Sequence, residues 1–137
     1  MQRAVIARIA LAGLALTVAA SSVSAASYDC NSQWLTRTEY AICDDPALSR
    51  LDERAARRFD QLAFRTSRFG QYLGLRHWQA AWGRKRNQCG QDRTCISGHY
   101  RTQAQFLDRV QDCLNMRLTR QSCLRTTLTG EREVGRR

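Results

Sequence analysis

The sequence predicts an all-α domain, a small disulfide-stapled antiparallel helical hairpin or bundle of three to four helices. Three observations carry this reading. Apolar residues recur every three or four positions from Leu48 onward, the spacing of one helix face. No stretch alternates apolar and polar residues as a half-buried strand does. Six cysteines, at 30, 43, 89, 95, 113 and 123, all lie beyond the first 25 residues, and an even cysteine count in a small exported chain reads as a disulfide framework.

Residues 1–25 predict a removable export signal. Arg3 and Arg8 supply its positive start, Ile9 to Ala20 its apolar centre, and Val23-Ser24-Ala25 a small-residue cleavage site. This is the sole long apolar stretch, so no transmembrane span is expected after its removal. Cys30 follows Ser27-Tyr28-Asp29 instead of a small-residue box, which argues against a lipid anchor. The expected product is periplasmic or secreted, with about 112 residues, one domain's worth of chain.

Each helix has a start signal or a stripe. Thr36 and Glu39 have the spacing of a capping box, so a short helix should run through Tyr40-Ala41-Ile42. Asp45 before Pro46 marks the next start, because the carboxylate can cap free N–H groups and proline lacks a donor anyway. From Pro46 to about Ser67, Leu48, Leu51, Ala55, Phe59 and Leu62 form an amphipathic stripe that Gly70 ends. A second long stretch, from about Gln71 to Gln88, carries Leu75, Trp78 and Trp82, with Arg76, Arg84, Lys85 and Arg86 placed largely outside the stripe. Gly83 weakens it locally by about 1 kcal/mol relative to alanine. A third begins near Thr94 and runs to about Arg109, burying Ile96, Tyr100 and Leu107.

The short connection at Gly70 makes the two long helices an antiparallel hairpin with aromatic stripes facing each other, and Trp78 and Trp82 read as core. The helical domain is therefore expected over residues 26–109. Residues 110–125, with Val110, Cys113, Leu114, Met116, Leu118 and Cys123, read as a stapled extension. Residues 126–137 lack periodicity and read as a flexible tail.

Six cysteines allow 15 complete pairings. The sequential pairs 30–43, 89–95 and 113–123 close the shortest loops and are preferred. A hairpin would equally bring Cys43 towards Cys89 and Cys30 towards Cys95. No Cys-x-x-Cys pair exists, and His77 and His99 lack ligand-like spacing, so neither a metal nor another cofactor is expected.

Net charge is +10, or +8 without Arg3 and Arg8, which favours anionic partners in general. Arginine outnumbers lysine 21 to 1 and alanine is abundant, a bias that GC-rich coding produces as readily as phosphate recognition does. Nucleic acid is not favoured as a partner, since no recognition motif is present and the chain is read as exported. Catalysis is not favoured either: nucleophile-elbow, metal and phosphate-loop motifs are all missing. His77, beside Trp78, reads as a packing or surface residue.

Four segments resemble the N-terminal domain of the lysozyme inhibitor LprI family. They are Asp29-Cys30 with Glu39-Tyr40-Ala41-Ile42-Cys43; Asp45-Pro46-Ala47-Leu48-Ser49-Arg50-Leu51-Asp52; Gln79-Ala80-Ala81-Trp82 with Arg86-Asn87-Gln88-Cys89; and Cys89-Gly90 with Cys95-Ile96 and Tyr100. The likeness covers about residues 29 to 107. Gly83, the Gln103-Ala104 pair and the Cys113/Cys123 segment depart from it.

The resemblance implies a small exported helical protein with disulfides, some of whose relatives inhibit lysozyme. Inhibition would place a polar loop in a sugar-binding cleft, against two catalytic carboxyl groups. The candidate loop is Gly90, Gln91, Asp92 and Arg93, which a Cys89–Cys95 bond would close. Animal lysozymes are usually basic, so the part of the chain able to meet such a partner is the acidic run of Asp44, Asp45, Asp52, Glu53 and Asp60. Asp44 and Asp45 join the loop as candidate partner-binding residues. The alternative is a basic envelope module that binds anionic polymers or lipid headgroups.

Overall fold

Capping chemistry sets where three of the helices begin. The computed structural model describes residues 26–134, with side chains through Thr129; the predicted export signal, residues 1–25, lies outside them. Five helices follow one another: α1 (Arg37–Asp44), α2 (Pro46–Ser67), α3 (Tyr72–Asn87), α4 (Arg93–Asn115) and α5 (Arg120–Val134). Thr36 and Glu39 form the expected capping box. Asp45 Oδ1 accepts the N–H groups of Ala47 and Leu48 at 2.8 and 3.2 Å, with Pro46 in the first turn. Asp92 caps α4 by accepting from Cys95 N at 3.0 Å. Gly70 takes φ +68° between α2 and α3, a left-handed turn that glycine enters without a Cβ clash. Helix α3 continues through Gly83.

Contacts along the helices fix their directions. Asp52 meets Tyr100, Arg58 meets Asp108 and Arg65 meets Gln111, so α2 and α4 run parallel. Helix α3 is antiparallel to both, with Arg86 on Asp52 and Gln79 on Gln103. Helix α5 runs alongside α3: Arg120 covers the Phe69 ring and Leu128 lies against Gly74. The result is an up-down-up-down helical bundle, with α1 folded across one end.

Two apolar clusters fill it. One, at the α1 end, joins Ala41, Ile42, Leu48, Trp82, Ile96 and Tyr100. The other centres on Leu62, Leu75, Phe106, Val110, Leu124 and Leu128. Trp78 packs against both.

Several expectations are corrected. The tryptophan stripe of α3 finds its ring partners on α4, although it shares apolar clusters with the hairpin partner α2: Trp78 stacks on Phe106 at 3.6 Å between centroids, and Trp82 meets Tyr100 at 5.4 Å. Residues 110–125 are not a separate extension. Helix α4 runs on to Asn115, because Val110, Cys113 and Leu114 continue the three-and-four spacing of Tyr100, Phe106 and Leu107 and are buried with them. The tail expected from Thr126 is helical to Val134, with Leu128 only 2% exposed; Leu124 and Leu128, one turn apart, give α5 a buried face. Cysteine pairing follows the sequential scheme, 30–43, 89–95 and 113–123, which sets aside the 43–89 and 30–95 alternative.

Candidate functional site

The loop and the acidic turn singled out by the sequence meet at one end of the bundle. Asp45 Oδ2 pairs with Arg93 Nη1 at 3.1 Å, tying the start of α2 to the start of α4. Two disulfides brace the same end, Cys30–Cys43 on α1 and Cys89–Cys95 on the connection between α3 and α4. Within the latter, Gly90 takes φ +58° and Asp92 N donates to Cys89 O at 3.1 Å, closing a tight turn. Gln91, Asp92 and Arg93 are exposed and Gly90 is half-buried. Asp44 is exposed beside half-buried Asp45.

Two of these acids already have structural work. The backbone N–H of Leu48, then that of Ala47, holds the Asp45 carboxyl below its ordinary value, and Arg93 and Arg50 add to this. Asp92 is occupied as the α4 cap. Of the wider acidic run, Glu53 pairs with Arg57 and Asp60 is exposed.

Asp52 does not belong to that surface. It is 5% exposed and accepts from the Tyr100 hydroxyl at 2.6 Å, from Arg86 Nη1 at 3.3 Å, and through Oδ2 from Ser27 N at 2.7 Å. Arg86, expected outside the stripe, is buried. It also donates to Tyr100 Oη at 3.1 Å and to Asn87 Oδ1 at 2.9 Å, and reaches Glu39 at 3.5 Å. Burial pushes the Tyr100 hydroxyl far above the usual phenol range, against the opposing pull of Arg86, so it remains a donor to Asp52. Thr38 Oγ1 donates to Asn87 O at 3.0 Å and Trp82 Nε1 to His99 O at 2.9 Å. This floor locks α1, α2, α3 and α4 together beneath the exposed loop, so the surface is rigid before any partner arrives.

One residue of this end escaped the sequence reading. Trp34 lies in the loop closed by Cys30–Cys43 and is 83% exposed. Large exposed aromatics are enriched among residues that dominate binding energy. Its place between two cysteines, outside any helical stripe, was the available signal.

The remaining candidates lie elsewhere or serve other ends. His77 is exposed on α3. Among the described residues, a group with metal-ligand atoms is Cys89, Cys95 and His99, within 4.8 Å of one another. Both sulfurs are joined in the disulfide, which removes the thiolates a metal would need. A groove of about 500 Å³ separates α2 from α4, floored by Leu51, Ala55, Ala104 and Leu107 and edged by Arg54, Arg57 and Arg58. Arg57 and Arg58 are paired with Glu53 and Asp108.

Comparison with protein-family models, with curated proteins and with solved structures finds no match for this chain. Helices among the described residues are not long and apolar enough to cross a membrane.

Proposed function

We propose that this chain is an exported binding protein that docks a protein partner on its disulfide-clamped end. The partner we propose is a lysozyme or related muramidase of the cell envelope. The observation that carries the reading is the meeting of two surfaces picked out separately in the sequence, with Arg93 and Asp45 3.1 Å apart between two disulfides. The likeness of the cysteine, tryptophan and Asp-Pro segments to the LprI domain supplies the partner class. Three disulfides fit an oxidising compartment, and the proposed location is the periplasm or the cell exterior.

Rigidity is what this end offers a partner. A loop closed by a bond and seated on a hydrogen-bonded floor loses little conformational freedom on binding, so more of its contact energy appears as affinity. The Arg93 side chain, 65% exposed, can exchange Asp45 for a carboxyl group in a sugar-binding cleft. Asp44 faces solvent and can meet a basic rim, while Trp34 adds apolar contact. An exported chain of net charge +8, without Arg3 and Arg8, is repelled at long range by a basic lysozyme and attracted by an acidic one. Association should therefore be faster with an acidic muramidase.

Peptidoglycan lysis by basic and acidic lysozymes, with the oxidised protein titrated in, tests this. The expected result is near-stoichiometric inhibition of at least one enzyme, lost when the protein is reduced and alkylated. An unchanged lysis rate at large excess across the enzymes contradicts the proposal.

A further inference from the structure

The opposite end of the bundle has a different chemistry. There the last turns of α2 and α4 meet the first turns of α3 and α5. Arg65 donates to Gln111 at 2.7 Å, Arg120 Nε donates to Leu114 O at 3.0 Å, and the Arg120 guanidinium covers Phe69. Large apolar side chains stand in solvent at this end. Leu118 is 99% exposed, Leu73 67% and Phe64 65%, with Tyr72 and Met116 also exposed. Exposed leucines scattered singly are ordinary, but several gathered at one end mark a contact surface.

The charge at this end is mostly positive, with exposed Asp112 in the last turn of α4 against it. No Asp or Glu occurs from Gln61 to Gln91 or from Cys113 to Gly130. Arg65, Arg68, Arg76, Arg117 and Arg120 all fall within those runs. Two of these arginines lie over exposed rings, Arg68 on Phe64 at 5.2 Å and Arg76 on Tyr72 at 5.6 Å. The acids bordering these runs are Asp60, Asp92, Asp112 and Glu131, of which Asp92 caps α4 at the opposite end, while Asp108, one turn before Asp112, is held by Arg58.

We infer that this end docks on an anionic lipid surface. Arginines would lie at headgroup level while Leu73 and Leu118, at loop or first-turn positions, enter the acyl boundary. Charge complementarity selects an anionic occupant, and the apolar side chains favour a bilayer over a soluble polyanion, which has no place for a fully exposed leucine. The disulfide-clamped end would then project away from the membrane by about 33 Å, the length of the 22-residue helix α2. The inference stands independently of the proposed protein partner.

Co-sedimentation of the protein recovered after export, with its N-terminus checked by sequencing, tests the inference on two vesicle compositions. These are phosphatidylcholine alone, and phosphatidylcholine mixed with phosphatidylglycerol. The expected result is binding to the mixed vesicles only, weakening as salt rises. Exposed positions tolerate substitution, so L73S/L118S should keep its helical signal and bind about tenfold more weakly. R68Q/R117Q should lose about fivefold per arginine. Absence of binding to the mixed vesicles overturns the inference. So does vesicle binding that L73S/L118S leaves unchanged, which would mark a surface reading charge alone, as for a soluble polyanion.

Discussion

Arg86 and Asp52 show how a charged residue can be core. Their side chains are 8% and 6% exposed, and each supplies the other's counter-charge. Removing one partner of a buried pair leaves an uncompensated charge, which costs about 3–5 kcal/mol. Arg86→Ala should therefore lower unfolding free energy by about that amount in urea melts, since Asp52 would keep only Tyr100 and the Ser27 N–H. A loss within ordinary surface variation, about 0.5 kcal/mol, would show that the network is not a structural floor. The pair was partly legible. Asp52 falls one turn after Leu48, and Arg86 one turn after Trp82, both in the register of their buried stripes. Opposite charges at core register on neighbouring helices are the signature of a buried pair. Reading them by polarity alone sent Asp52 to the acidic surface and Arg86 to solvent.

At the scale of elements, boundaries with a local signal were readable, and the end of α4 and the start of α5 were not. Thr36 to Glu39 and Asp45-Pro46 placed two helix starts correctly, because cap chemistry is local. Helix α4 overran its expected end because nothing at Arg109 terminates it: no glycine or proline lies between there and Asn115, and the buried stripe continues to Leu114. Helix α5 was masked by its threonines at 126, 127 and 129, which are poor helix formers on their own. Its helicity rests on burial of Leu124 and Leu128 against α3 and α4. Leu128→Ala should thus cost about 2–5 kcal/mol, the range for emptying a buried leucine site. Denaturant melts check this, and an unchanged midpoint would mean residues beyond Thr126 behave as the tail first expected. The ring partners of the tryptophan stripe were not legible either. A stripe says which face of a helix is buried, and only tertiary packing decides which neighbour receives it.

The whole molecule is a bundle with two unlike ends. One is clamped by two disulfides, floored by a buried ionic network and fronted by polar residues and Trp34. The other gathers arginines and exposed apolar side chains around the 113–123 disulfide. The all-helical class was legible from periodicity; the cysteine pairing was one of two schemes left open, with loop length favouring the sequential one that the structure has. The candidate loop and acidic turn were legible as separate segments, and their adjacency was not, since it depends on α2 and α4 running parallel. The five-helix count was hidden by α5.

The proposal that the disulfide-clamped end receives a muramidase is tested most directly by amide hydrogen exchange on the oxidised protein, with and without an excess of the enzyme. The account predicts slowed exchange confined to the loop of Cys30–Cys43, the Asp44–Asp45 turn and the Cys89–Cys95 loop, and none at Phe64, Leu73 or Leu118. Protection centred on those three residues, or none anywhere with a muramidase that the protein inhibits, would contradict it.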